Sequence, residues 1–226
     1  MRPSPLLESP CWQETDLGKP LPDSEHATSV AMPLWQHVVQ YEEGDPEFRK
    51  RLALGYPRFV IHPHVERLNA LAVSRYAKVG EKAFIAPSAR VAEACVRFIR
   101  DVRGATARVE LMEGDVAAVL FPEEVADTAK HFWQHFGEIV SSRRAKAVLE
   151  GRWDSAIDDI SDLAIMQRIA AITTCEVEDV YLYSTGMAAL SGALRAAQRL
   201  APGAKSVQMG FPYVLSLIHI SEPTRP

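Results

Sequence analysis

The turn Tyr183-Ser184-Thr185-Gly186-Met187-Ala188-Ala189 holds the residue types best suited to chemistry in this 226-residue chain. A short apolar run, residues 180–183, leads through two hydroxyls and a glycine into a helical pattern. The N–H groups that open such a helix have no acceptor inside it, and the helix dipole favours negative charge beside them. Thr185, Gly186 and Met187 are therefore expected to form an anion cradle, with Gly186 letting a phosphate approach the backbone. A turn with one glycine is also an ordinary strand-to-helix connection. A second feature adds to the first. Tyr213, within Gly210-Phe211-Pro212-Tyr213, follows Gly186 by twenty-seven residues, across one helix and one short apolar run. That spacing returns an aromatic ring to the same sheet edge, and an anion site beside a ring suits a flat phosphorylated heteroaromatic cofactor or a nucleotide.

The remaining reactive residues read more plainly. His131 and His135 stand four apart on a helical pattern, as a metal pair would, but Phe132 replaces the glutamate of a zinc protease motif, and no metal is expected. His62 and His64 straddle Pro63 at the end of an apolar run and read as loop histidines with satisfied hydrogen bonds. Arg143, Arg144 and Lys146 are expected near a helix C-terminus, where they offset the dipole. Cys175 reads as a small buried apolar residue before a strand. Cys11, Cys95 and Cys175 are odd in number and lack any Cys-x-x-Cys pairing, which argues against a disulfide framework and a structural zinc site and suits a reducing compartment.

Composition narrows the class. At 47% hydrophobic and 24% charged residues the chain can bury a core, which excludes collagen-like, disordered and coiled-coil architectures. A net charge of -4, with 25 basic and 29 acidic side chains scattered along the sequence, excludes a field that would collect nucleic acid. No apolar run reaches the ~18 residues of a membrane span, and the Pro-rich start lacks a signal peptide's apolar core. A cytoplasmic location is expected.

The elements that must position the cradle follow from periodicity. Residues 1–30 carry Pro3, Pro5, Pro10, Pro20 and Pro22 and read as an extended arm. An α/β region is expected over 31–150. It reads as a strand at 58–62, a helix through Val65, Leu68 and Ala72, and a strand at 82–86. A helix with Val91, Cys95, Phe98 and Val102 on one face ends at Gly104, and strands at 107–112 and 116–121 flank the turn Glu113-Gly114-Asp115. Pro122 is read as the start of a long helix through Val125, Phe132, Phe136 and Ile139 towards Glu150, stopped by Gly151. A helix with Ile160, Leu163, Met166 and Ile169 comes next, then a strand at 180–183. The helix after Thr185 has Met187, Leu190, Leu194 and Ala197 on its face, and Pro202 with Gly203 precedes a strand at 206–210. Strand, helix, strand in about thirty residues is a right-handed crossover of a parallel sheet, so the fold class is α/β.

At this length of matching text the chain resembles a known family. VYLYSTGMAA, followed by the aromatic loop, is similar to the pyridoxal phosphate enzymes of the cystathionine gamma-synthase group. LGKPLP, HATSVAMPLWQHVVQYEEGD, GYPRFVIH, HFWQHFGEIVSSRRA and SVQMGFPYV resemble the fungal cystathionine gamma-synthases, and the likeness covers residues 17–214. The resemblance implies a fold-type-I, aminotransferase-like large domain beginning at 151–214, pyridoxal 5'-phosphate as cofactor, and a homo-oligomer. It implies phosphate binding by the backbone at Gly186 and Met187 and ring stacking by Tyr213. It also implies an arginine reaching a neighbouring subunit's phosphate. Arg152 lies thirty-four residues before Gly186, close to the family's usual interval, and is preferred to Arg58 in Tyr56-Pro57-Arg58. The implied reaction is replacement of the γ-substituent of an O-activated homoserine by cysteine. Sulfhydrylation of an O-acylhomoserine stays open, as does a non-catalytic binding or regulatory module over residues 30–150. The family's cofactor lysine and its aspartate at the pyridine nitrogen match nothing here, since Lys19, Lys50, Lys78, Lys82, Lys130, Lys146 and Lys205 all precede Tyr213. Residues 215–226 (LSLIHISEPTRP) resemble a translated sequencing adapter, so the chain is expected to carry one wall of an active site, without catalytic residues of its own.

Overall fold

The computed structural model describes residues 10–52, 54–56, 60–153, 159–205 and 207, with the side chains of 159 and 160 left aside. In chain order the strands are β1 (Pro20–Leu21), β2 (Ser29–Val30), β3 (Glu81–Ala86), β4 (Arg108–Leu111) and β5 (Ala117–Pro122). The helices are α1 (Trp35–Glu42), α2 (Pro46–Lys50), α3 (Pro63–Tyr76), α4 (Ala89–Arg103), α5 (Ala126–Phe136), α6 (Ser142–Leu149), α7 (Asp159–Thr173) and α8 (Gly186–Leu200). They fall into two compact units, one within Met1–Lys78 and Val140–Arg152, the other within Val79–Ile139 and Trp153–Pro226. The fold is α/β, and both sheets among the described residues are antiparallel. None of the described helices is long and apolar enough to cross a membrane.

In the first unit the described part of the proline-rich start, from residue 10, holds a short 3-10 turn at Glu14–Asp16 and β1 paired with β2, and proline withholds the amide a longer ladder would need. Ala27 and Val30 nevertheless join Tyr41, Phe48, Leu52 and Leu54 in a buried cluster, with Leu17, Met32 and Val60 packed on it. Asp45 caps α2 by accepting from Glu47 N at 2.9 Å and Phe48 N at 3.2 Å, and Pro46 occupies the first helical position, where no amide is missed. Helix α3 buries Val65, Leu68 and Ala72, the residues whose spacing predicts it. The strand expected at 58–62 is absent from its described part. His62 is instead the N-cap of α3, held extended by the proline that follows, and its Nδ1 accepts from His64 N at 3.1 Å. Arg58 and Phe59 lie outside the described residues.

A polar knot ties the start of this unit to α3 and α6. The Glu25 carbonyl accepts from His62 Nε2 at 2.6 Å, which fixes the proton on Nε2 and frees Nδ1 for its capping role. The Glu25 carboxylate meets His64 Nε2 at 3.0 Å and also the Lys146 ammonium, and His26 Nδ1 lies 3.0 Å from Ser142 Oγ. The three imidazoles gather with ring centroids 5.0 to 6.1 Å apart.

In the second unit β5 is the middle strand of the order β3-β5-β4 and is buried from Ala117 to Phe121. Its register pairs Phe84 and Val109 with the same residue, Val119. Since β3 and β4 both run antiparallel to β5, they are parallel to each other, and the chain crosses between them through α4. This is a split β-α-β unit, with a hairpin strand inserted where a simple crossover would place a neighbour. The hairpin turn matches its sequence: Gly114 has φ 74° and Asp115 φ 54°. Ser88 caps α4 by accepting from Val91 N at 3.4 Å, and Gly104 ends it at φ 65°. The buried face is Val91, Ala92, Cys95 and Ile99, so Ile99 takes the place expected of Val102, which is exposed.

Three further expectations change. The long helix after Pro122 is two helices, because Gly137 turns left-handed at φ 85° and ends α5 before Ser141 caps α6. Arg143 and Arg144 consequently stand in the first turn of α6, not at a helix C-terminus. Helix α7 buries Ala170 but leaves Leu163, Ile165, Ile169 and Ile172 exposed, since its apolar residues are spread around the helix. Residues 180–183 form no strand, because extended backbone counts as one only when a neighbour completes its ladder.

The polar knot sets an acid response. Its half-exposed Glu25 carboxyl is held down from 4.5 to about 2 by hydrogen bonds from Lys146 and His64, and burial lowers the His26 imidazole from 6.5 despite attraction from Glu25. Arg143, Lys146 and His62 add repulsion that lowers His26 further. Both groups bind fewer protons folded than unfolded, so their stabilisation is present above those ordinary values and is lost as pH falls. Urea midpoints are expected to fall below pH 6.5 through His26 and again from pH 4.5 towards 2 through Glu25. Glu25→Gln should lower the midpoint at pH 7 and flatten the second fall; an unchanged acid limb in that variant would refute the assignment.

Candidate functional site

The candidate site is the N-terminus of α8. Thr185 is its N-cap, with extended backbone at φ -148° and ψ 157°, and its Oγ1 accepts from Ala188 N at 3.0 Å. The Thr185 carbonyl accepts from Ala189 N at 3.1 Å. The amides of Gly186 and Met187 come earlier in the first turn and have no acceptor inside the helix. A side chain built on Gly186 would meet nothing within 4 Å, so the backbone there is open to a ligand. Fifteen aligned residues stand behind these donors, giving the helix end its partial positive charge.

The turn after α5 seats this end of the helix. Thr185 Oγ1 donates to the Gly137 carbonyl at 2.8 Å, and a Cβ on Gly137 would lie 2.6 Å from Ala188 N. Next to it, Glu138 faces the guanidinium of Arg195 at 3.6 Å and pairs with Arg90. Sequence reasoning passed over Gly137 and Glu138. The available signal was a glycine directly after the periodic run ending at Phe136, which marks a helix C-terminus.

The inward face of α8 also differs from its pattern. Ala188, Ser191 and Gly192 are buried, while Met187, Leu190 and Leu194 are half-buried and Ala197 is exposed. Small residues allow close approach, and the Tyr183 ring lies over Gly192 where any Cβ would overlap it.

Of the predicted site residues, the structure brings Thr185, Gly186 and Met187 together at one helix end. Arg152 belongs to the other compact unit, is exposed, and pairs with Glu150. Tyr213, Arg58 and the strand expected at 206–210, apart from an exposed Val207, fall outside the described residues. His131 and His135 are edge-to-face at 5.9 Å on α5, and no group of three metal-ligating side chains is positioned to hold an ion among the described residues. Cys175 is exposed, with Thr173 Oγ1 at 3.1 Å, and not buried as its context suggests; Cys95 is the buried thiol, pushed up to about 12 by desolvation.

Parts of the chain resemble known proteins. Residues 64–141 match the model for the N-terminal domain of fungal trans-sulfuration enzymes. The chain is 36% identical to a putative cystathionine gamma-synthase of Saccharomyces cerevisiae, over 60% of this chain and 24% of that protein. It is 35% identical to the cystathionine gamma-synthase of Neurospora crassa, over 58% of this chain and 25% of that one. These segments of the chain are similar to the fungal trans-sulfuration enzymes and to cystathionine gamma-synthases. A third relative, the L-2-amino-4-chloropent-4-enoate dechlorinase/desaturase of Streptantibioticus cattleyicolor, is 31% identical over 85% of this chain and 40% of its own length. The chain spans about a quarter of the length of the first cystathionine gamma-synthases it matches. No solved structure matches it significantly.

The open backbone at Gly186 yields a direct test. Gly186→Val adds a side chain where the protein has no atom within 4 Å, so the fold is expected to persist while an approaching phosphate is blocked. Titration with inorganic phosphate, followed by amide chemical shifts of residues 186 and 187, should respond in the unsubstituted chain and be at least tenfold weaker in the variant. Equal responses would remove the cradle.

Proposed function

We propose that this chain supplies the phosphate-binding wall of a pyridoxal-phosphate-dependent enzyme of trans-sulfuration. In this reading an O-activated homoserine exchanges its γ-oxygen substituent for the thiol of cysteine, giving cystathionine. The carrying observation is the capped N-terminus of α8, with two amides and an open glycine at one end of a fifteen-residue helix. A phosphate monoester fits there: it brings only acceptors and negative charge to a site that offers only donors and positive potential.

Within this reading Gly186 and Met187 hold the phosphate through backbone N–H groups, and Tyr213 stacks on the pyridine ring. Arg152 is the proposed cationic contact from a second copy of the chain in a homo-oligomer. When bound, the cofactor supplies an electron sink for carbanions formed on the substrate. The chain's own part is to anchor and orient that group, so that its reactive end is presented in one direction. The fold-type-I large domain and a cytoplasmic location belong to the same proposal.

The assay is a choice of acceptor. Supplied with O-activated homoserine and either cysteine or sulfide, the complete enzyme is expected to form cystathionine from cysteine with the higher kcat/KM. Preference for sulfide would turn the reading to an O-acylhomoserine sulfhydrylase, and turnover of neither would remove the γ-replacement proposal. Arg152→Ala should weaken cofactor retention on dialysis more than Arg58→Ala; the reverse order would transfer the cationic role to Arg58.

A further inference from the structure

We infer that the turn at Gly137 and Glu138, together with the Thr185 hydroxyl, positions the anion cradle, and that this hydroxyl shapes the cradle without itself donating to the anion. This rests on the anion-binding reading of α8 proposed above. A threonine hydroxyl carries one hydrogen and can accept as well. At Thr185 both capacities are committed: Oγ1 donates to the Gly137 carbonyl at 2.8 Å and accepts from Ala188 N at 3.0 Å. A phosphate oxygen needs a donor, and the donors left in the first turn are the amides of Gly186 and Met187. Thr185 is thus a positioning residue that acts through the backbone.

Gly137 is the other half of the device. Its φ of 85° lies in the left-handed region, and a Cβ there would stand 2.6 Å from Ala188 N and 2.8 Å from Met187 Cβ. The first turn of α8 therefore sits against this α-carbon with no room for a side chain. Glu138, the next residue, grips the same helix further along. Its carboxylate is 14% exposed and lies 3.6 Å from the guanidinium of Arg195, which also donates to Ser191 Oγ at 2.8 Å and stands 5.0 Å from the centroid of Phe136. Arg90, in the first turn of α4, holds the carboxylate from the other side. Arg195 is nine residues past Gly186, about 13 Å along the axis. Two attachments from adjacent residues, one to the first turn of α8 and one to the guanidinium of a residue further along it, fix the direction of α8 as well as its end. One attachment would leave the helix free to pivot.

The experiment compares backbone protection with phosphate binding in the full chain. Amide hydrogen exchange is read by mass spectrometry over residues 185–190, with Glu81–Ala86 of β3 as internal reference. Thr185→Val keeps the shape and loses both hydrogen bonds; it is expected to speed exchange over 185–190 about tenfold, in the range for loss of an N-cap, with β3 unchanged. Thr185→Ser keeps both bonds and should restore protection, and Gly137→Ala should act as valine does. Inorganic phosphate is then titrated against each variant, its affinity expected to fall about tenfold in Thr185→Val and Gly137→Ala and to recover in Thr185→Ser. Weakened phosphate binding with unchanged exchange in Thr185→Val would mean a direct donor and would overturn the inference; so would unchanged exchange and binding together. If Thr185→Val loses protection in β3 as well, Glu138→Gln carries the test: faster exchange over 185–190 alone supports the positioning turn, and no change overturns it. Failure of the unsubstituted chain to bind phosphate would remove the anion reading instead, while the exchange data still decide whether these residues position the helix end.

Discussion

A backbone that turns left-handed at Gly137 is the constraint on which the candidate site depends. Two separate demands fall on this α-carbon. Its φ of 85° is costly for any residue with a Cβ, and the space a Cβ would need is taken by the first turn of α8. Meeting both ends α5, presents the Gly137 carbonyl to Thr185, and turns the Glu138 carboxylate towards Arg90 and Arg195. The free amides of a helix end exist in any protein; here they are held by a neighbouring turn whose geometry only glycine supplies.

The charged groups act mainly through geometry. Glu25 gathers His64 and Lys146, and Glu138 gathers Arg90 and Arg195, so each carboxylate joins segments distant in sequence. Such partly exposed pairs contribute little stability individually, but they discriminate one arrangement of elements from another. The stabilising weight lies in burial. Leu68, Ile85, Ile99, Val119 and Leu120 are fully covered, and each such side chain contributes roughly 1.5–3 kcal/mol relative to exposure.

A cradle of backbone amides reads charge and shape and is indifferent to the reaction that follows. Proteins bearing the names of a cystathionine gamma-synthase and of a dechlorinase/desaturase are both similar to this one chain. A fold can be common property while the chemistry is set by groups that touch the reacting atoms. The match over residues 64–141 includes α5, Gly137 and Glu138, so the turn that seats the N-terminus of α8 falls within the segment similar to the N-terminal domain of fungal trans-sulfuration enzymes.

Local chemistry made much of this legible in the sequence. Ser88 and Gly104 bracket α4, Gly114 and Asp115 make the hairpin, Val65, Leu68 and Ala72 define the buried face of α3, and Thr185 caps α8. Each of these follows from steric rules or hydrogen bonds within a few residues, which is why the sequence alone determined them. Tertiary structure decided the rest. Ile99 displaced Val102 because the sheet set how α4 is rotated; residues 180–183 stayed unpaired because a strand requires a neighbour; Lys146 found Glu25 across 121 positions of sequence. The same holds for the site itself. A threonine before a glycine announces a helix start, but that its hydroxyl is already spent on the carbonyl of Gly137, forty-eight residues away, is a property of packing that no local pattern encodes.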